Sequence, residues 1–488
     1  MMTFPPDHFA GKRVTVMGLG HFGGQIAAIR FLVSQGAQVT VTDVAPEEKL
    51  GTSIAQVRHL PVILHLGGHV ESDFTDTDMV VVSPAVPKDS RYLKLASERQ
   101  IALTCEMNLF LDRCRAEVIG VTGSAGKSTT VSMLATILEE AQATDLPKLG
   151  YRKLWMGGNI GKSLLENVAQ IQANDLVVLE LSSFQLQDMA GIEYSPHVAI
   201  VTNVFPNHLD RHDGFQDYVE SKGNITRYQS ANDYLILNND SDTSVFEQIA
   251  PGEVKIHRFG AYSDDRSESS GPLLVSLVCQ QGQWELHYHL GDSKGCIIAG
   301  DQMPVPGFHN LQNAAAASAG ALIVGVSSDT IGSALKKFKG LPDRLELVAE
   351  IDRIRWYNDS KSTTPQSGII ALKSFAPRSV IAIAGGYDKS LDLSDFARML
   401  AHHAKFTLSL GQTGPQLAGL IRQYGGDVME TGSLDEAVQH AGQFAQAGDH
   451  VLLSPGCASW DMFENYQARG QRFRSLVSKL GKTVSINN

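Results

Sequence analysis

The sequence is poor in cysteine, has no excess of basic residues and contains no long apolar run. Its five cysteines are scattered and form no Cys-x-x-Cys pair, which disfavours a disulfide framework and a zinc site. A net charge of -11 disfavours non-specific nucleic-acid binding. No stretch approaches the roughly 18 apolar residues of a membrane span, and the first residues do not resemble a signal peptide. We therefore expect a cytoplasmic protein with no membrane span and no nucleic-acid partner.

Strand-like and helical patterns alternate along the 488 residues, which predicts an α/β protein with parallel sheets. We expect three domains, at 1–113, 114–340 and 341–488, with a joint near Pro342. Segment 262–300 differs, because a polar loop leads into a predicted hairpin with no assignable chemistry. Ligands of parallel sheets bind beyond the carboxyl ends of strands, so we looked for polar clusters there.

The most informative motif is Thr-Gly-Ser-Ala-Gly-Lys-Ser-Thr at 122–129, between a predicted strand and a predicted helix. Backbone N–H groups and the helix N-terminus in such a loop bind phosphate. Lys127 would reach the outer phosphates, and the Ser128 hydroxyl would bind Mg²⁺. Val121 stands where the usual pattern has its first glycine. The alternative is a turn that merely contains Gly-Lys-Ser.

A second glycine-rich turn, Gly-Leu-Gly-His-Phe-Gly at 18–23, follows the first predicted strand, and Asp43 ends the next. This pattern indicates a nucleotide diphosphate site, which would suit NAD or a UDP-sugar equally. The alternative is a tight turn without a ligand.

Two further strand ends carry candidate metal ligands. Glu180 closes an apolar strand some fifty residues after Lys127, where a protein with a phosphate loop needs a carboxylate for Mg²⁺. The segment 203–212 contains His208 and favours a metal or phosphate role. Glu180 could instead be a capping residue. By its own pattern, Lys222 is an ordinary lysine on a helix surface.

Polar groups near the third predicted sheet complete the candidates. Asn310 and Asn313, three residues apart, share a helix face and could contact a base or ribose. Arg344 precedes three strand ends, at 358–363, 385–390 and 454–459, which carry lysine, serine and threonine. Cationic and hydroxyl groups there suit an anionic co-substrate and a transferring phosphate. Capping and solvated loop ends are the alternatives.

As an ordered set, these motifs resemble the Mur ligase family over nearly the whole chain. The matching segments are 122–129, 157–161, 180–185, 207–210, 309–313, 341–344, 358–361 and 454–459. Asp-Ser-Lys at 359–361, with the early glycine turn, points to the glutamate-adding branch. The resemblance implies three domains: a Rossmann-like N-terminal domain, a central P-loop ATPase-like parallel sheet and a Rossmann-like C-terminal domain.

The resemblance also implies the reaction and its participants. ATP would phosphorylate the carboxylate of UDP-N-acetylmuramoyl-L-alanine, and the amine of D-glutamate would displace phosphate from this acyl phosphate. Two Mg²⁺ ions and a monomeric enzyme are expected. Positioning and charge neutralisation would dominate catalysis.

Residue roles are implied in the same way. Lys127, His208 and Lys222 would be catalytic. The metal ligands would be Ser128, Glu180, His208 and Lys222, the last as a carbamate. ATP would be bound by Gly123, Ser124, Ala125, Gly126, Lys127, Ser128, Thr129, Asn310, Asn313, Arg344, Asp359 and Lys361. The UDP-substrate would be bound by Gly18, Leu19, Gly20, His21, Asp43, Ser83 and Asn159. Glutamate would be bound by Thr363, Lys389, Ser459 and Tyr466.

Four departures from the family pattern leave alternatives open. Ala85 replaces a glycine, Tyr466 replaces a phenylalanine, Tyr387 stands where a small or acidic residue is usual, and residues 262–300 extend the central domain. An L-glutamate-adding relative would share nearly every motif. Another amino-acid ligase of the superfamily, such as a folylpolyglutamate synthase, is disfavoured by the N-terminal glycine turn. An NAD-linked dehydrogenase would leave the phosphate loop unexplained, and a non-catalytic regulator would not need the metal ligands.

Overall fold

The computed structural model describes residues 7–20, 23–144, 149–207, 211–262, 273–389 and 391–483. The chain packs into two compact units. The first comprises 1–279, 286–297 and 312–331, and the second comprises 280–285, 298–311 and 332–488. In the described ranges, no helix is both long and apolar enough to cross a membrane.

The first unit begins with a five-stranded parallel sheet in the order β3-β2-β1-β4-β5. Its strands are β1 (Arg13–Met17), β2 (Gln38–Asp43), β3 (Val62–Leu66), β4 (Met79–Val82) and β5 (Ala102–Thr104). Its helices are α1 (Gly24–Ser34), α2 (Glu47–Ala55), α3 (Ser72–Thr75), α4 (Arg91–Glu98) and α5 (Glu106–Arg113). The strand order reverses between β1 and β4, so the first glycine turn lies at the crevice where such sheets bind ligands.

A nine-stranded sheet follows, in the order β14-β13-β12-β11-β10-β9-β6-β8-β7. Its strands are β6 (Glu117–Thr122), β7 (Leu154–Gly158), β8 (Leu176–Glu180), β9 (Val198–Val201), β10 (Tyr234–Asn238), β11 (Lys255–Ala261), β12 (Val275–Gln280), β13 (Gln283–Leu290) and β14 (Ser293–Ala299). The helices are α6 (Lys127–Thr144), α7 (Ser183–Met189), α8 (Phe215–Gly223), α9 (Ser244–Ile249), α10 (Phe308–Ile323) and α11 (Ser328–Lys337).

In this sheet, all neighbouring pairs among β12, β11, β10, β9, β6, β8 and β7 are parallel, as the sequence predicts. β6, β8 and β9 are almost wholly buried apolar runs, which is typical of a sheet covered on both faces. Because these three strands are neighbours, the loops after Thr122, Glu180 and Val201 meet at one edge. The expected hairpin is present, with positive φ at Gln281 and Gly282, and residues 263–272 lie outside the described ranges.

The second unit contains a six-stranded sheet in the order β15-β16-β20-β17-β18-β19. Its strands are β15 (Glu346–Ile351), β16 (Ile354–Asn358), β17 (Val380–Gly385), β18 (Phe406–Leu410), β19 (Val428–Glu430) and β20 (His450–Leu453). Its helices are α12 (Pro365–Leu372), α13 (Ser394–His403), α14 (Gly414–Gln423), α15 (Leu434–Phe444) and α16 (Tyr466–Thr483). Only the β15–β16 pair is antiparallel.

The core of this unit has two layers, one on each face of the sheet. Along β17, Val380, Ala382 and Ala384 pack into one layer, and the intervening Ile381 and Ile383 pack into the other. This alternation follows from the two-residue period of a strand. β16, β20 and β17 are adjacent, so the polar loops after Asn358, Gly385 and Leu453 also converge at one edge. The three-sheet architecture predicted from the sequence is confirmed.

Candidate active site

The phosphate loop connects β6 to α6, and two of its glycines cannot carry a side chain without displacement. At Gly123 (φ 151°) a Cβ would lie 2.0 Å from Thr202 Oγ1, and at Gly126 (φ 84°) it would lie 2.3 Å from Asn313 Oδ1. These close approaches explain why glycine occupies both positions. Lys127 is the first residue of α6, so the loop ends at a helix N-terminus, where phosphate is favoured.

The loop is held by the segment that follows β9. Ala125 N donates to Asn203 Oδ1 (2.9 Å), and Thr202 Oγ1 donates to Ala125 O (2.6 Å). Ser124 Oγ donates to Phe205 O (2.8 Å), so this hydroxyl already serves the protein's own backbone. Ser128 is half-buried and Thr129 is buried in the first turn of α6. The cradle is therefore fixed without a ligand.

Lys222, which its local pattern assigned to a helix surface, is buried, so that reading was wrong. Its exposed fraction is 1%, and its ammonium donates to Thr122 Oγ1 (3.2 Å) and Gly123 O (3.1 Å). Lys127 Nζ donates to the same Gly123 carbonyl (2.9 Å). Burial, together with the charge of Lys127, holds the pKa of Lys222 well below its usual value. The amine of Lys222 is therefore buried beside the phosphate loop, and this environment favours its neutral form more than water does.

Glu180, at the end of β8, has the environment of a metal ligand. It is 2% exposed, and its Oε1 accepts a hydrogen bond from Asn159 Nδ2 (2.9 Å). Its Oε2 is buried and has no hydrogen-bond partner among the described residues. Such an atom is costly unless a cation or another donor completes it, so the carboxylate fits Mg²⁺. His208, the expected second ligand, lies outside the described residues.

Asn159, predicted near the muramoyl group, contacts Glu180 through both main chain and side chain. Its backbone N also donates to Glu180 O (2.8 Å). The preceding Gly158 (φ 97°) admits this approach, since a Cβ there would lie 2.2 Å from the same carbonyl. Asn159 therefore orients the candidate metal ligand, a role that the sequence did not indicate.

A relay of three side chains joins α7 to α8 beside this region. Ser183 Oγ lies 3.0 Å from His212 Nε2, and His212 Nδ1 lies 3.0 Å from Asp217 Oδ2. Phe184 stacks on the imidazole at 5.1 Å between ring centroids. The order of atoms is that of a nucleophile triad, but Ser183 is only 2% exposed. The relay therefore serves to hold the segment around His212 against α7.

The first glycine turn, in the N-terminal sheet, is built around Asp43. Asp43 Oδ2 accepts from Leu19 N (2.8 Å) and Gly20 N (3.3 Å), and Oδ1 accepts from Ala45 N (2.8 Å). The carboxylate of Asp43 therefore holds the glycine turn in place through these hydrogen bonds. Ser83 lies against Gly18, where a Cβ would be 3.0 Å from the Ser83 Cβ. His21 lies outside the described residues.

Asn313, on α10, belongs to the first unit and completes the phosphate-loop cluster. Besides its contact with Gly126, its Oδ1 accepts from Thr130 Oγ1 (3.4 Å). Asn310 belongs to the second unit, where its Nδ2 donates to Pro306 O (2.7 Å) and only 6% of the residue is exposed. The two asparagines predicted to share a role are therefore each engaged in their own unit.

In the second unit, Asp359 is a buried carboxyl enclosed by donors. Its Oδ2 accepts from the hydroxyls of Ser362 and Ser454, the latter at 2.8 Å, and its Oδ1 accepts from Leu345 N (3.2 Å). Burial nevertheless raises its pKa to about 6. Arg344 is half-buried and also acts electrostatically on Asp359.

Arg469, on α16, joins two candidate loops and was missed by sequence reasoning. Its guanidinium is fully buried and donates to Ser360 Oγ (2.9 Å), Ser360 O (2.9 Å), Cys457 O (3.1 Å) and Ala458 O (3.2 Å). It thereby fixes the loop after β16 to the loop after β20. No local pattern separates it from Arg472 and Arg474 of the same helix, which are exposed and half-buried, so tertiary structure alone reveals it.

The residues predicted to bind glutamate are only partly brought together. Thr363 and Lys389 line a small cavity of about 10 Å³ with Tyr387, Thr413 and Ala458. Ser459, the next residue, is 2% exposed. Tyr466 lies instead beside Lys361, with its ring centroid 5.9 Å from the ammonium. Thr413 was not predicted, yet Gly386 N donates to its hydroxyl (3.0 Å).

Three mainly parallel sheets, with a phosphate loop flanked by a buried carboxylate and a buried lysine, define an α/β protein that binds nucleoside triphosphates. Family models for the Mur ligase middle domain, the Mur ligase glutamate ligase domain and the MurD-like N-terminal domain match residues 121–321, 343–457 and 12–105. The chain belongs to the Mur ligase family.

Relatives named UDP-N-acetylmuramoylalanine--D-glutamate ligase support this membership. The Symbiobacterium thermophilum protein is 37% identical over 96% of this chain and 98% of its own length. The Acetivibrio thermocellus protein is 38% identical over 96% of this chain and 97% of its own length. Membership makes this protein an ATP-using ligase.

Solved structures agree on the fold. UDP-N-acetylmuramate-alanine ligase MurC from Thermotoga maritima superposes with a TM-score of 0.55 at 18% identity, covering 96% of this chain and 100% of that one. A pseudomurein peptide ligase type C from Methanothermus fervidus gives 0.52 at 19% identity, with 96% and 100% covered. At this identity, the likeness concerns fold alone.

Proposed function

We propose that this protein joins D-glutamate to UDP-N-acetylmuramoyl-L-alanine at the expense of ATP, in the synthesis of peptidoglycan precursors. The chain matches nearly the full length of relatives that carry this name. The observation that carries the chemistry is the open, buried oxygen of Glu180 beside the phosphate loop. A loop built only for structure has no need of an unpartnered carboxylate.

The phosphoryl-transfer half of the reaction would use the first unit. The phosphate loop 123–129 would receive the phosphates of ATP, with Lys127 on the outer ones. Ser128 and Glu180 would hold Mg²⁺, and by resemblance His208 and Lys222 would complete two metal sites. Bound Mg²⁺ would neutralise negative charge between the phosphates and the acceptor carboxylate. Asn313 would lie against the same loop, through its contact with Gly126.

Lys222 would act as a carbamate. Its lowered pKa favours the unprotonated nitrogen, which would attack carbon dioxide. A nitrogen–carbon bond forms, one proton is released, and the product carries an anionic carboxylate. This change converts a buried donor with few partners into an oxygen ligand suited to Mg²⁺ or its bound waters.

The acceptor and amino-acid sites would lie at the other strand ends. The glycine turn at 18–20, with His21, Asp43 and Ser83, would bind the UDP moiety, and Asn159 the muramoyl part. Asn310, Arg344, Asp359 and Lys361 would contact ATP. Thr363, Lys389, Ser459 and Tyr466 would bind the glutamate carboxylates. The structural support is that the loops after β16, β17 and β20, which carry Asp359, Lys361, Thr363, Lys389 and Ser459, converge at one edge of the third sheet.

The test is phosphate release from ATP with Mg²⁺ and UDP-N-acetylmuramoyl-L-alanine, comparing D-glutamate, L-glutamate and diaminopimelate. We expect release that depends on D-glutamate. Release with L-glutamate alone would keep the mechanism and overturn the pocket assignment. Release with neither glutamate, in folded protein, would reject the function. A ¹³C NMR signal from labelled bicarbonate, lost in Lys222→Met, would identify the carbamate.

We propose further that the enzyme is a cytoplasmic monomer with two Mg²⁺ ions and domains at 1–113, 114–340 and 341–488. Light scattering would report the monomer, and Mg²⁺ titration of the ATP complex would report the number of ions. Limited proteolysis would cut near 113 and 340 if the proposed boundaries are correct, since exposed linkers between domains are cleaved first.

A further inference from the structure

An exposed aromatic pair stands beside the small cavity of the second unit. Trp460 is 61% exposed and Tyr387 is 36% exposed, and their ring centroids are 5.6 Å apart. Trp460 directly follows Ser459, whereas Tyr387 lies in the loop after β17. A tryptophan left this exposed in a well-packed unit is an informative departure from ordinary burial.

The cation of the cavity lies over this tryptophan. Lys389 Nζ is 4.5 Å from the centroid of the Trp460 ring, within the range of a cation–π interaction. In the described part of the chain, Lys389 has no ion-pair partner. The ring face orients the ammonium but does not neutralise it, so the full charge remains available to an anionic ligand.

The two loops that carry these side chains are fixed to each other by the main chain. Tyr387 N donates to Ala458 O (2.9 Å). Gly386 (φ 151°) allows this approach, because a Cβ there would lie 2.3 Å from the same carbonyl. Gln412 Oε1 accepts from Asp388 N (3.2 Å). The aromatic pair is therefore mounted on backbone that neighbouring elements hold in place.

We propose that Trp460 is a positioning residue that holds the Lys389 ammonium for a carboxylate of the amino-acid substrate, while Tyr387 buttresses the indole. The proposal rests on the proposed function, because it takes glutamate as the anion that Lys389 binds. It adds a role that the Ser454–Ser459 motif did not contain, since that motif ends one residue before Trp460. Without the indole ring, the Lys389 side chain would rotate freely. Glutamate binding would then have to order this side chain, which would weaken the affinity for glutamate.

Steady-state kinetics on three variants test the proposal. Trp460→Leu keeps an apolar side chain but removes the aromatic ring under the Lys389 ammonium, whereas Trp460→Phe keeps an aromatic ring there. We expect Trp460→Leu to raise the KM for D-glutamate roughly 3- to 30-fold, as for the loss of one cation–π contact, with kcat and the KM for ATP nearly unchanged. Trp460→Phe should restore most of the affinity. Ile370→Ala, which changes another exposed apolar residue of this unit (56%), should behave as the unmodified protein.

Fluorescence supplies a readout that a purely structural role would not move. The difference in emission between the unmodified protein and Trp460→Phe isolates Trp460 from Trp155, Trp284 and Trp356. We expect D-glutamate to change this difference in the presence of the UDP-substrate and a non-hydrolysable ATP analogue.

Two results would overturn the proposal: an unchanged KM for D-glutamate in Trp460→Leu, or equal defects in the leucine and phenylalanine variants. Failure of the proposed function looks different, because the unmodified protein would then release no phosphate in response to D-glutamate.

Discussion

Among the described residues, each compact unit buries one lysine or arginine side chain, and the two differ in how well their hydrogen bonds are satisfied. Lys222, in the first unit, has two hydrogen bonds, both longer than 3.0 Å. Arg469, in the second, has four, and two of them are 2.9 Å. Burial lowers the pKa of Arg469 only to about 10, so it stays charged near neutral pH, whereas the pKa of Lys222 falls well below its usual value.

The difference shows how a buried cation with a structural role can be distinguished from one that takes part in the reaction. A guanidinium presents five donors in a rigid fork, and carbonyl oxygens can satisfy it almost completely. An ammonium with two weak partners is poorly compensated for its lost water, so it favours the neutral form. An under-satisfied amine beside a phosphate loop is suited to act as a nucleophile, whereas a guanidinium with four of its five donors bonded is suited to hold two loops together. The following predictions, in order of decreasing effect, test this contrast.

The largest effect is expected from Lys222→Met. Methionine keeps the volume and removes the under-satisfied nitrogen, so the free energy of unfolding should stay the same or rise. Loss of the proposed carbamate should lower kcat by about 10³-fold, as for other groups that stabilise developing charge. Phosphate-release kinetics and urea denaturation measure the two quantities. Lys49→Met, at an exposed position of the same unit, serves as control. If Lys222→Met lowered the free energy of unfolding as well as kcat, the loss of activity would follow from instability, and Lys222 would be a structural residue.

Arg469→Met should show the opposite pattern. It leaves three carbonyls and one hydroxyl without their donor, so we expect the free energy of unfolding to fall by about 3 kcal/mol. Urea denaturation measures this change. Arg398→Met, which removes an exposed arginine of the same unit, should cost less than about 1 kcal/mol. A stable Arg469→Met protein that has lost activity would break the contrast.

Asp359 acts electrostatically on Arg469, and its ionisation should make stability depend on pH. Because burial raises its pKa to about 6, the folded state favours the protonated carboxyl. Its contribution to stability is fully present below about pH 4 and is lost as pH rises through 6. The loss amounts to at most about 3 kcal/mol.

Denaturation of the unmodified protein and Asp359→Asn at several pH values measures this loss. The Asp359→Asn variant should gain relative stability between about pH 4 and 7, because the amide does not ionise. A difference that is constant with pH would mean that Asp359 titrates normally.

The smallest effect is expected at Asn159, beside the proposed metal ligand. Asn159→Ala removes the donor to Glu180 Oε1 and leaves Lys222 untouched. We expect the Mg²⁺ concentration for half-maximal activity to rise about tenfold, as for other residues that orient a metal ligand. Asn167→Ala is the matched control. An unchanged Mg²⁺ requirement would argue against a metal at Glu180.

Some strands were predictable from the sequence to the residue. The sequence pattern predicts strands at 38–43, 234–238, 354–358, 380–385 and 406–410, and β2, β10, β16, β17 and β18 have these bounds. The predicted strands omit β3, β5, β7, β11, β14, β15 and β19. Of these, β5 and β19 have three residues each and half-exposed or exposed side chains, so hydrophobicity alone gives them little signal. Glycines of the phosphate loop were also predictable, since their spacing reflects local backbone geometry.

Side-chain partners were not predictable in the same way. The sequence predicts a ligand role for Asp43 but not its protein partners, the backbone N–H groups of Leu19, Gly20 and Ala45. Lys222 looked like a surface lysine, since its burial depends on β6 and the phosphate loop, about a hundred residues earlier. Only the resemblance to a family gave it a role in advance.

The sequence by itself determined the three α/β sheets, the phosphate loop and the family, because these depend on periodicity, local turns and ordered motifs. Tertiary structure decided which buried polar groups have hydrogen-bond partners and which do not. The unpartnered oxygen of Glu180, the lowered pKa of Lys222 and the four hydrogen bonds of Arg469 each depend on residues that are distant in the sequence. Hydrogen-bond satisfaction is a property of three-dimensional surroundings, and no local pattern of residues encodes it.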